Sequence, residues 1–161
     1  MNQLETDSQR RSIILLDLNY TLVANNSARG VAPGRMEKRL AHEKYRQWLV
    51  ELVRPHTVVL MTARPETWMI KTLDRIEDQT SWRPQDACFA PRGWWNPPAI
   101  KQHLLKKEVF PIHGEDAHYL AIESNPRTRE MYAKFSIPCL WVTGEGNCLT
   151  NETRIVKRLT R

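Results

Sequence analysis

Short apolar runs alternate with longer segments of helical periodicity along this chain. The apolar runs are continuous rather than alternating, which is typical of strands covered on both faces of a sheet. The predicted strands are 12–17, 57–62, 87–91, 118–123 and 137–144, of which 87–91 is the weakest. The predicted helices are 36–53, 65–77, 99–110 and 125–135, with a final amphipathic helix after residue 151. Because strand and helix alternate, right-handed crossovers are expected, and the predicted fold class is an α/β doubly wound parallel sheet with helices on both faces.

The composition is that of one globular domain, 1–161. Of the 161 residues, 41% are hydrophobic and 26% charged, which is ordinary for a chain that buries its own core. No apolar run approaches the roughly 20 residues that a membrane span needs, and the N-terminus lacks the apolar centre of a secretory signal. Cys88, Cys139 and Cys148 share no CxxC spacing and indicate free thiols in a reducing compartment. A cytoplasmic protein without a membrane partner is expected.

The formal net charge of +6 favours polyanionic partners such as nucleic acid. Any single basic cluster is more often the solvated face of a helix. The charge therefore indicates a class of partner and does not locate a site.

Polar residues that can carry chemistry follow three of the predicted strands. Asp17, Thr62 and Glu123 stand at strand ends, and Lys101 opens a helix. Ligands of such sheets bind beyond the carboxyl ends of the strands, where neighbouring strand tips lie only about 5 Å apart. Two acids attract Mg²⁺, a hydroxyl and an ammonium stabilise phosphate oxygens, and an aspartate can form an aspartyl-phosphate. Taken alone, Thr62 could be a helix N-cap and Lys101 a surface lysine.

Four segments in this order resemble the motifs of the haloacid dehalogenase superfamily. "DLNYTL" is similar to the DxDxT signature, with Asp17 in the nucleophile position and Thr21 in the threonine position. "VVLMTAR" resembles the second motif, with Thr62 as the phosphate-binding hydroxyl. Lys101 resembles the lysine of the third motif, and "LAIES" the acidic fourth motif. The resemblance implies a Rossmann-like fold, an aspartyl-phosphate intermediate and an Mg²⁺ site formed by Asp17, the main chain of Asn19 and the fourth motif.

Within that superfamily, the chain is similar to the phosphatase domain of phage polynucleotide kinase/phosphatase. The similarity lies in the "TAR" that ends at Arg64 and in the run "LAIESNPRTREMYAKFSIPCLWVTGEGN". It implies Mg²⁺-dependent removal of a 3′-phosphate from nucleic acid or a nucleotide, with Arg64 binding phosphate or sugar and Asn125 at the substrate or the metal. No GxxxxGK[ST] segment is present, so a kinase or ligase partner is expected to be a separate chain.

Two motifs depart from the family pattern. Asn19 stands where the family normally has the aspartate that protonates the leaving oxygen and later activates water. An amide cannot give or take that proton, and loss of a positioned acid/base typically costs about 10²–10⁴-fold in rate. The main-chain carbonyl of Asn19, which the family uses for the metal, survives the change. Glu123, Ser124 and Asn125 replace two adjacent acids, so weaker metal binding is expected, with Ser124 as a neutral ligand.

These departures leave three hypotheses open. The enzyme could be slow or use another base, for which His56, His113 and His118 are candidates by residue type only. It could be a phosphoryl-transfer enzyme that exploits a long-lived aspartyl-phosphate. It could also be a relative that binds phosphorylated ligands or nucleic-acid ends without turnover.

The site is expected to be open because no interval is long enough for a cap domain. An open site suits a nucleic-acid end better than a small metabolite. The loop "APRGWWNPP" precedes Lys101, so Trp94 and Trp95, with Arg92 beside them, could form a stacking platform for bases. The alternative, favoured for at least one of the two, is that the tryptophans plug the core. Residues 24–35 could form a flap or an ordinary loop, and the remaining tryptophans, Trp48, Trp68, Trp82 and Trp141, are predicted to pack helices on the sheet.

Overall fold

The computed structural model describes residues 12–24 and 35–142. Their centre is a five-stranded, all-parallel sheet of order β3-β2-β1-β4-β5. The strands are β1 Ile13–Asp17, β2 Thr57–Pro65, β3 Asp86–Ala90, β4 Tyr119–Glu123 and β5 Cys139–Trp141. The predicted doubly wound parallel sheet is therefore confirmed. The chain proceeds from β1 to one side and returns to β4 on the other, which makes the carboxyl ends of β1 and β4 the topological switch point where such sheets bind ligands.

The helices cover both faces of the sheet. They are α1 Met36–His42, α2 Gln47–Val53, α3 Met69–Thr80, α4 Pro97–Leu104, α5 Phe110–His113 and α6 Pro126–Lys134, with α4 joined to α5 by a π-helical turn, Leu105–Val109. Alternate residues of β1 point to opposite faces. Leu16 packs in one core with Leu49 and Ile76, whereas Leu15 packs in the other core with Leu104. Both cores are apolar, which explains why the strands read as continuous hydrophobic runs.

The segment predicted as one helix, 36–53, is two helices with a break between them. The chain after β1 pairs with that break: Ala24 N donates to Lys44 O at 2.8 Å, Arg46 N donates to Leu22 O at 2.9 Å, and Val23 forms an antiparallel bridge with Tyr45. These bonds need extended backbone, so the helix cannot continue. As a result Glu43 and Tyr45 in the break are buried, whereas Lys44 between them stays exposed.

Other boundaries differ less. Strand β2 extends three residues beyond the predicted end, with an irregularity in its pairing to β3 between Met61 and Pro65. The predicted tail helix, Cys148 and residues 25–34 of the predicted flap lie outside the described residues. Between β1 and β2 the described part of the chain holds two short helices, and between β2 and β3 one helix, with no further sheet. No helix within 12–24 and 35–142 is long and apolar enough to cross a membrane.

Candidate active site

The turn that follows β1 presents Asp17 at the edge of the sheet. Its backbone is tight: Tyr20 adopts a left-handed conformation with φ of 64°, and Val23 N closes the turn on Leu18 O at 2.9 Å. Thr21 Oγ1, which is fully buried, donates to Asp17 Oδ2 at 2.6 Å. The threonine of the first motif thus fixes the orientation of the carboxylate that is predicted to be the nucleophile.

Lys101 brings two distant carboxylates together. Its Nζ lies 2.5 Å from Asp17 Oδ1 and 2.6 Å from Glu123 Oε2, and all three side chains are buried. Burial opposes the charged ammonium, but the two carboxylates outweigh it and raise the pKa of Lys101 to about 12. Burial raises the pKa of Glu123 to about 7, although Lys101 acts in the opposite direction. Lys101 is therefore no surface lysine; it is a charged group at the centre of the strand ends.

Three oxygens, two from the end of β1 and the turn after it and one from the loop after β4, converge beside this ion pair. Ser124 Oγ lies 3.3 Å from the main-chain oxygen of Asn19 and 3.5 Å from Asp17 Oδ2. A carboxylate, a carbonyl and a hydroxyl are the hard oxygen donors that Mg²⁺ accepts, with water completing its coordination. Within the described ranges no group of three or more His, Cys, Asp or Glu side chains has metal-binding geometry. These oxygen donors fit a hard cation such as Mg²⁺, and a second carboxylate in place of the Ser124 hydroxyl would bind it more tightly.

Glu123 is turned towards the lysine and its own loop. While Oε2 accepts from Lys101, Oε1 accepts from the backbone N–H groups of Ser124 and Asn125, each at 3.1 Å. A direct contact between Glu123 and a metal would compete with these bonds, so the geometry favours a contact through water. Asn125 is also engaged, because its side chain caps α6 by accepting from Arg127 N at 3.0 Å.

Thr62 lies at the tip of the neighbouring strand. Met61 is the residue in register with Asp17, and Thr62, which is fully buried, follows it. Its Oγ1 accepts from Arg64 N at 3.1 Å, and within 12–24 and 35–142 the hydroxyl proton has no acceptor. Since β2 continues to Pro65, Thr62 is not a helix N-cap.

The Arg64 side chain, which is predicted to bind phosphate or sugar, contacts protein groups in the structure. Its guanidinium is buried and forms an ion pair with Glu43, whose carboxylate also accepts from Tyr45 OH at 3.0 Å. It also donates to Thr72 Oγ1 at 3.0 Å and to Asn19 Oδ1 at 3.1 Å. The structure therefore places Arg64 beneath the first motif as a support for Asn19. A contact between Arg64 and phosphate stays a prediction.

Sequence reasoning missed Glu43 and its surroundings. Glu43 lies in the break between α1 and α2, where the pattern predicts a solvated helix face. Arg39, on α1, comes to the same place: its Nη2 donates to Asn19 Oδ1 at 3.1 Å, and its Nε lies 3.8 Å from Glu43 Oε1. No local signal identifies these residues, because their burial depends on pairing with the chain after β1.

The two tryptophans before α4 lie at the surface. Trp94 is 42% exposed and lies against His103, with ring centroids 4.7 Å apart and ring planes inclined by 40°, and Trp95 is 90% exposed. The expectation that at least one of them plugs the core is wrong, because α4 begins at Pro97 and the loop before it runs along the rim. Arg92 in the same loop is also exposed.

Trp141 was predicted to pack a helix on the sheet, yet it is 47% exposed at the end of β5. Its indole Nε1 donates to Ser124 O at 3.2 Å, and the guanidinium of Arg129 lies 5.2 Å from the ring centroid. This tryptophan therefore borders the predicted metal-binding loop. Trp82, by contrast, is buried as predicted.

The three candidate histidines lie at the wrong edge of the sheet. His56 and His118 directly precede β2 and β4, and His113 Nε2 is 3.8 Å from Asp86, the first residue of β3. The amino and carboxyl ends of a five-residue strand are separated by about 15 Å. None of these histidines can serve as the base for chemistry at Asp17, and that hypothesis is wrong.

Solved structures share this fold. A chain of the Pnkp1/Rnl/Hen1 RNA repair complex matches with a TM-score of 0.66 and 14% identity over 86% of this chain. A second structure of the Pnkp1/Rnl/Hen1 complex matches with a TM-score of 0.65 and 13% identity. This chain spans only 44% and 47% of the length of those two chains. The HAD domain of the effector protein Lem4 from Legionella pneumophila (an inactive mutant) gives a TM-score of 0.47 at 14% identity, over 95% of this chain and all of that one.

No family model matches the chain, and no curated protein does. At these identities the likeness concerns the fold alone. The shared fold is a Rossmann-type α/β fold with an all-parallel central sheet.

Proposed function

We propose that this protein is an Mg²⁺-dependent phosphohydrolase that acts through an aspartyl-phosphate on a phosphorylated nucleic-acid end, such as a 3′-phosphate, or on a nucleotide. The observation that carries the proposal is the buried ion pair of Lys101 with Asp17 and Glu123 at the topological switch point. Burying three charges in this way is costly for stability. A structural role alone would be served as well by apolar side chains, so a catalytic reason for keeping them is favoured.

The residues present divide the work of phosphoryl transfer. Asp17 supplies the carboxylate oxygen that attacks phosphorus, held in place by Thr21 and Lys101. The ammonium of Lys101 and the hydroxyl of Thr62 stabilise the phosphate oxygens as charge shifts in the transition state. Asp17, the main-chain oxygen of Asn19 and Ser124 would hold Mg²⁺, with Glu123 acting through water. The ion supplies neutralising charge that lets a carboxylate approach a phosphate dianion.

Several features favour a nucleic-acid end over a small metabolite. Among the described residues no cap domain covers the strand ends. The net charge is +6. Trp94 and Trp95 are exposed on the loop that leads to α4, which also carries the exposed Arg92. Stacking of a base on an aromatic side chain is worth about 1–3 kcal/mol. The structurally similar Pnkp1/Rnl/Hen1 assembly is an RNA repair complex. We further propose that the enzyme is cytoplasmic and works beside a kinase or ligase.

A second candidate function is binding of phosphorylated ends without turnover. It is favoured by Asn19 and Ser124, which remove an acid/base and a metal-binding carboxylate from the site. The same pocket would then recognise a terminal phosphate and hold it.

One assay separates the two functions. Purified protein with Mg²⁺ and an oligonucleotide bearing a 3′-phosphate is expected to release inorganic phosphate, whereas a chelator or the Asp17→Asn variant abolishes release. The matched control is the same oligonucleotide with a 3′-hydroxyl, which also serves to measure binding that depends on the phosphate. Tight binding that depends on the 3′-phosphate, without release of phosphate, would favour the binding function over the enzymatic one.

A further inference from the structure

The orientation of the Asn19 side chain is fixed by its partners. Its Oδ1 accepts hydrogen bonds from Arg39 Nη2 and Arg64 Nη2, both at 3.1 Å. A guanidinium has only donors, so the group that faces both arginines must be the amide oxygen. The amide Nδ2 is therefore on the other side of the group, and among residues 12–24 and 35–142 it has no hydrogen-bond partner.

The two arginines are themselves anchored. Arg64 is fully buried against Glu43 and Thr72, and Arg39 lies within 4 Å of the same carboxylate. Rotation of the Asn19 amide would leave the buried guanidinium of Arg64 and the partly buried guanidinium of Arg39 facing N–H donors. Such an arrangement loses two charge-assisted hydrogen bonds, which are the stronger kind. Arg39 and Arg64 are thus positioning residues that fix the orientation of the Asn19 amide.

We infer that Asn19 donates a fixed hydrogen bond to the leaving-group oxygen of the substrate and supplies no proton to it. The inference rests on the proposed function and narrows its substrate class. A site with this property favours phosphates whose leaving group is stable as an anion, which means phosphoanhydrides and aryl esters. Esters of ordinary alcohols, among them the 3′-phosphate of the proposed function, are still hydrolysed but more slowly, by about 10²–10⁴-fold, which is the usual contribution of general acid catalysis.

Transfer of the phosphoryl group to Asp17 and its later hydrolysis need only the substrate and water as reactants. An oxygen of Asp17 forms a bond to phosphorus while the bond from phosphorus to the leaving oxygen breaks, and that oxygen keeps the electron pair. The Nδ2–H group of Asn19 stabilises the new negative charge, and the leaving group then takes a proton from water. A second water attacks phosphorus, the bond to Asp17 breaks with its pair returning to the carboxylate, and the proton of that water passes to solvent.

A series of phosphate monoesters tests the inference. The esters run from p-nitrophenyl phosphate through less acidic phenols to an alkyl phosphate, and release of the phenol or alcohol is followed in a single turnover with enzyme in excess. Single-turnover release reports the first step even if the aspartyl-phosphate is hydrolysed slowly. A fall of about 10²–10⁴-fold from the nitrophenyl to the alkyl ester is expected. Rates that agree within about tenfold across the series would overturn the inference while leaving the proposed function intact. No release from any ester would overturn both.

The Asn19→Ala variant shows whether the amide acts on the leaving group. A donor that meets the developing negative charge matters most where that charge is largest, so the variant should lose more activity on the alkyl ester than on the nitrophenyl ester. An equal loss on all esters would indicate a purely structural amide and refute the assigned role. Should the variant fail to fold, which a thermal melt reports, the wild-type series still decides the substrate class.

Discussion

The ion pair of Arg64 with Glu43 provides a quantitative test of the buried network under the first motif. Replacing Arg64 by Met keeps a long apolar chain but removes the guanidinium contacts with Glu43, Thr72 and Asn19. Removing one partner of a buried ion pair typically costs about 3–5 kcal/mol, because a buried charge stays uncompensated. Glu43 keeps the hydroxyl of Tyr45 at 3.0 Å, so the lower end, about 3 kcal/mol, is expected here.

This cost is measurable in two ways. It lowers the folding equilibrium constant by about two orders of magnitude, at about 1.4 kcal/mol per factor of ten. For a domain of this size it lowers the Tm by about 6–12 °C, at about 2–4 °C per kcal/mol. Calorimetry gives the second value and urea denaturation the first.

Arg83→Met is the matched control. Arg83 also contacts two carboxylates, those of Asp74 and Glu77, each at 2.9 Å, but this pair lies at the surface. Exposed ion pairs contribute little, so the Tm should hardly change. The reasoning is refuted if Arg64→Met is no more destabilising than Arg83→Met. Adding Glu43→Gln to Arg64→Met removes the stranded charge and should restore part of the loss.

Three further predictions concern the site itself. Lys101→Met should lower the free energy of unfolding by about 3–5 kcal/mol and abolish phosphate release. Adding Glu123→Gln should restore stability in urea denaturation but not activity. If Lys101→Met were as stable as the wild type, the buried ion pair would be contradicted. Thr21→Val removes a hydrogen bond to the buried Asp17 carboxylate and should cost about 1.5–3 kcal/mol in the same measurement, an unchanged midpoint being the opposing result. Trp95→Ala should weaken oligonucleotide binding by about 1–3 kcal/mol in fluorescence anisotropy titrations without changing the Tm. An affinity equal to that of the wild type would refute a stacking role for Trp95.

The doubly wound parallel sheet and the gathering of polar strand ends could be predicted from the sequence. Both follow from local apolar runs together with general rules for parallel sheets, so Asp17, Lys101 and Glu123 could be placed near each other before any coordinates were known. The alternation of Leu15 and Leu16 between two cores follows from the same pattern.

The break after α1 could not be predicted, because Leu40 and Tyr45 fit a continuous helix and only pairing with Val23 interrupts it. Glu43 for the same reason reads as an exposed acid. The exposure of Trp94 was missed too, since an aromatic residue in a proline-rich loop is compatible with either a core or a rim position. His56, His113 and His118 were chosen as candidate bases by residue type alone, which does not indicate at which edge of the sheet a residue lies.

The Trp141 indole has a practical consequence. It is half-exposed, tied through Nε1 to the carbonyl of Ser124, and covered on one side by Arg129. Indole emission shifts in wavelength with the polarity and charge of its surroundings. Arrival of an ion or an anion at the Ser124 loop should therefore change the native fluorescence of the unlabelled protein, and comparison with Trp141→Phe isolates that signal from the other five tryptophans.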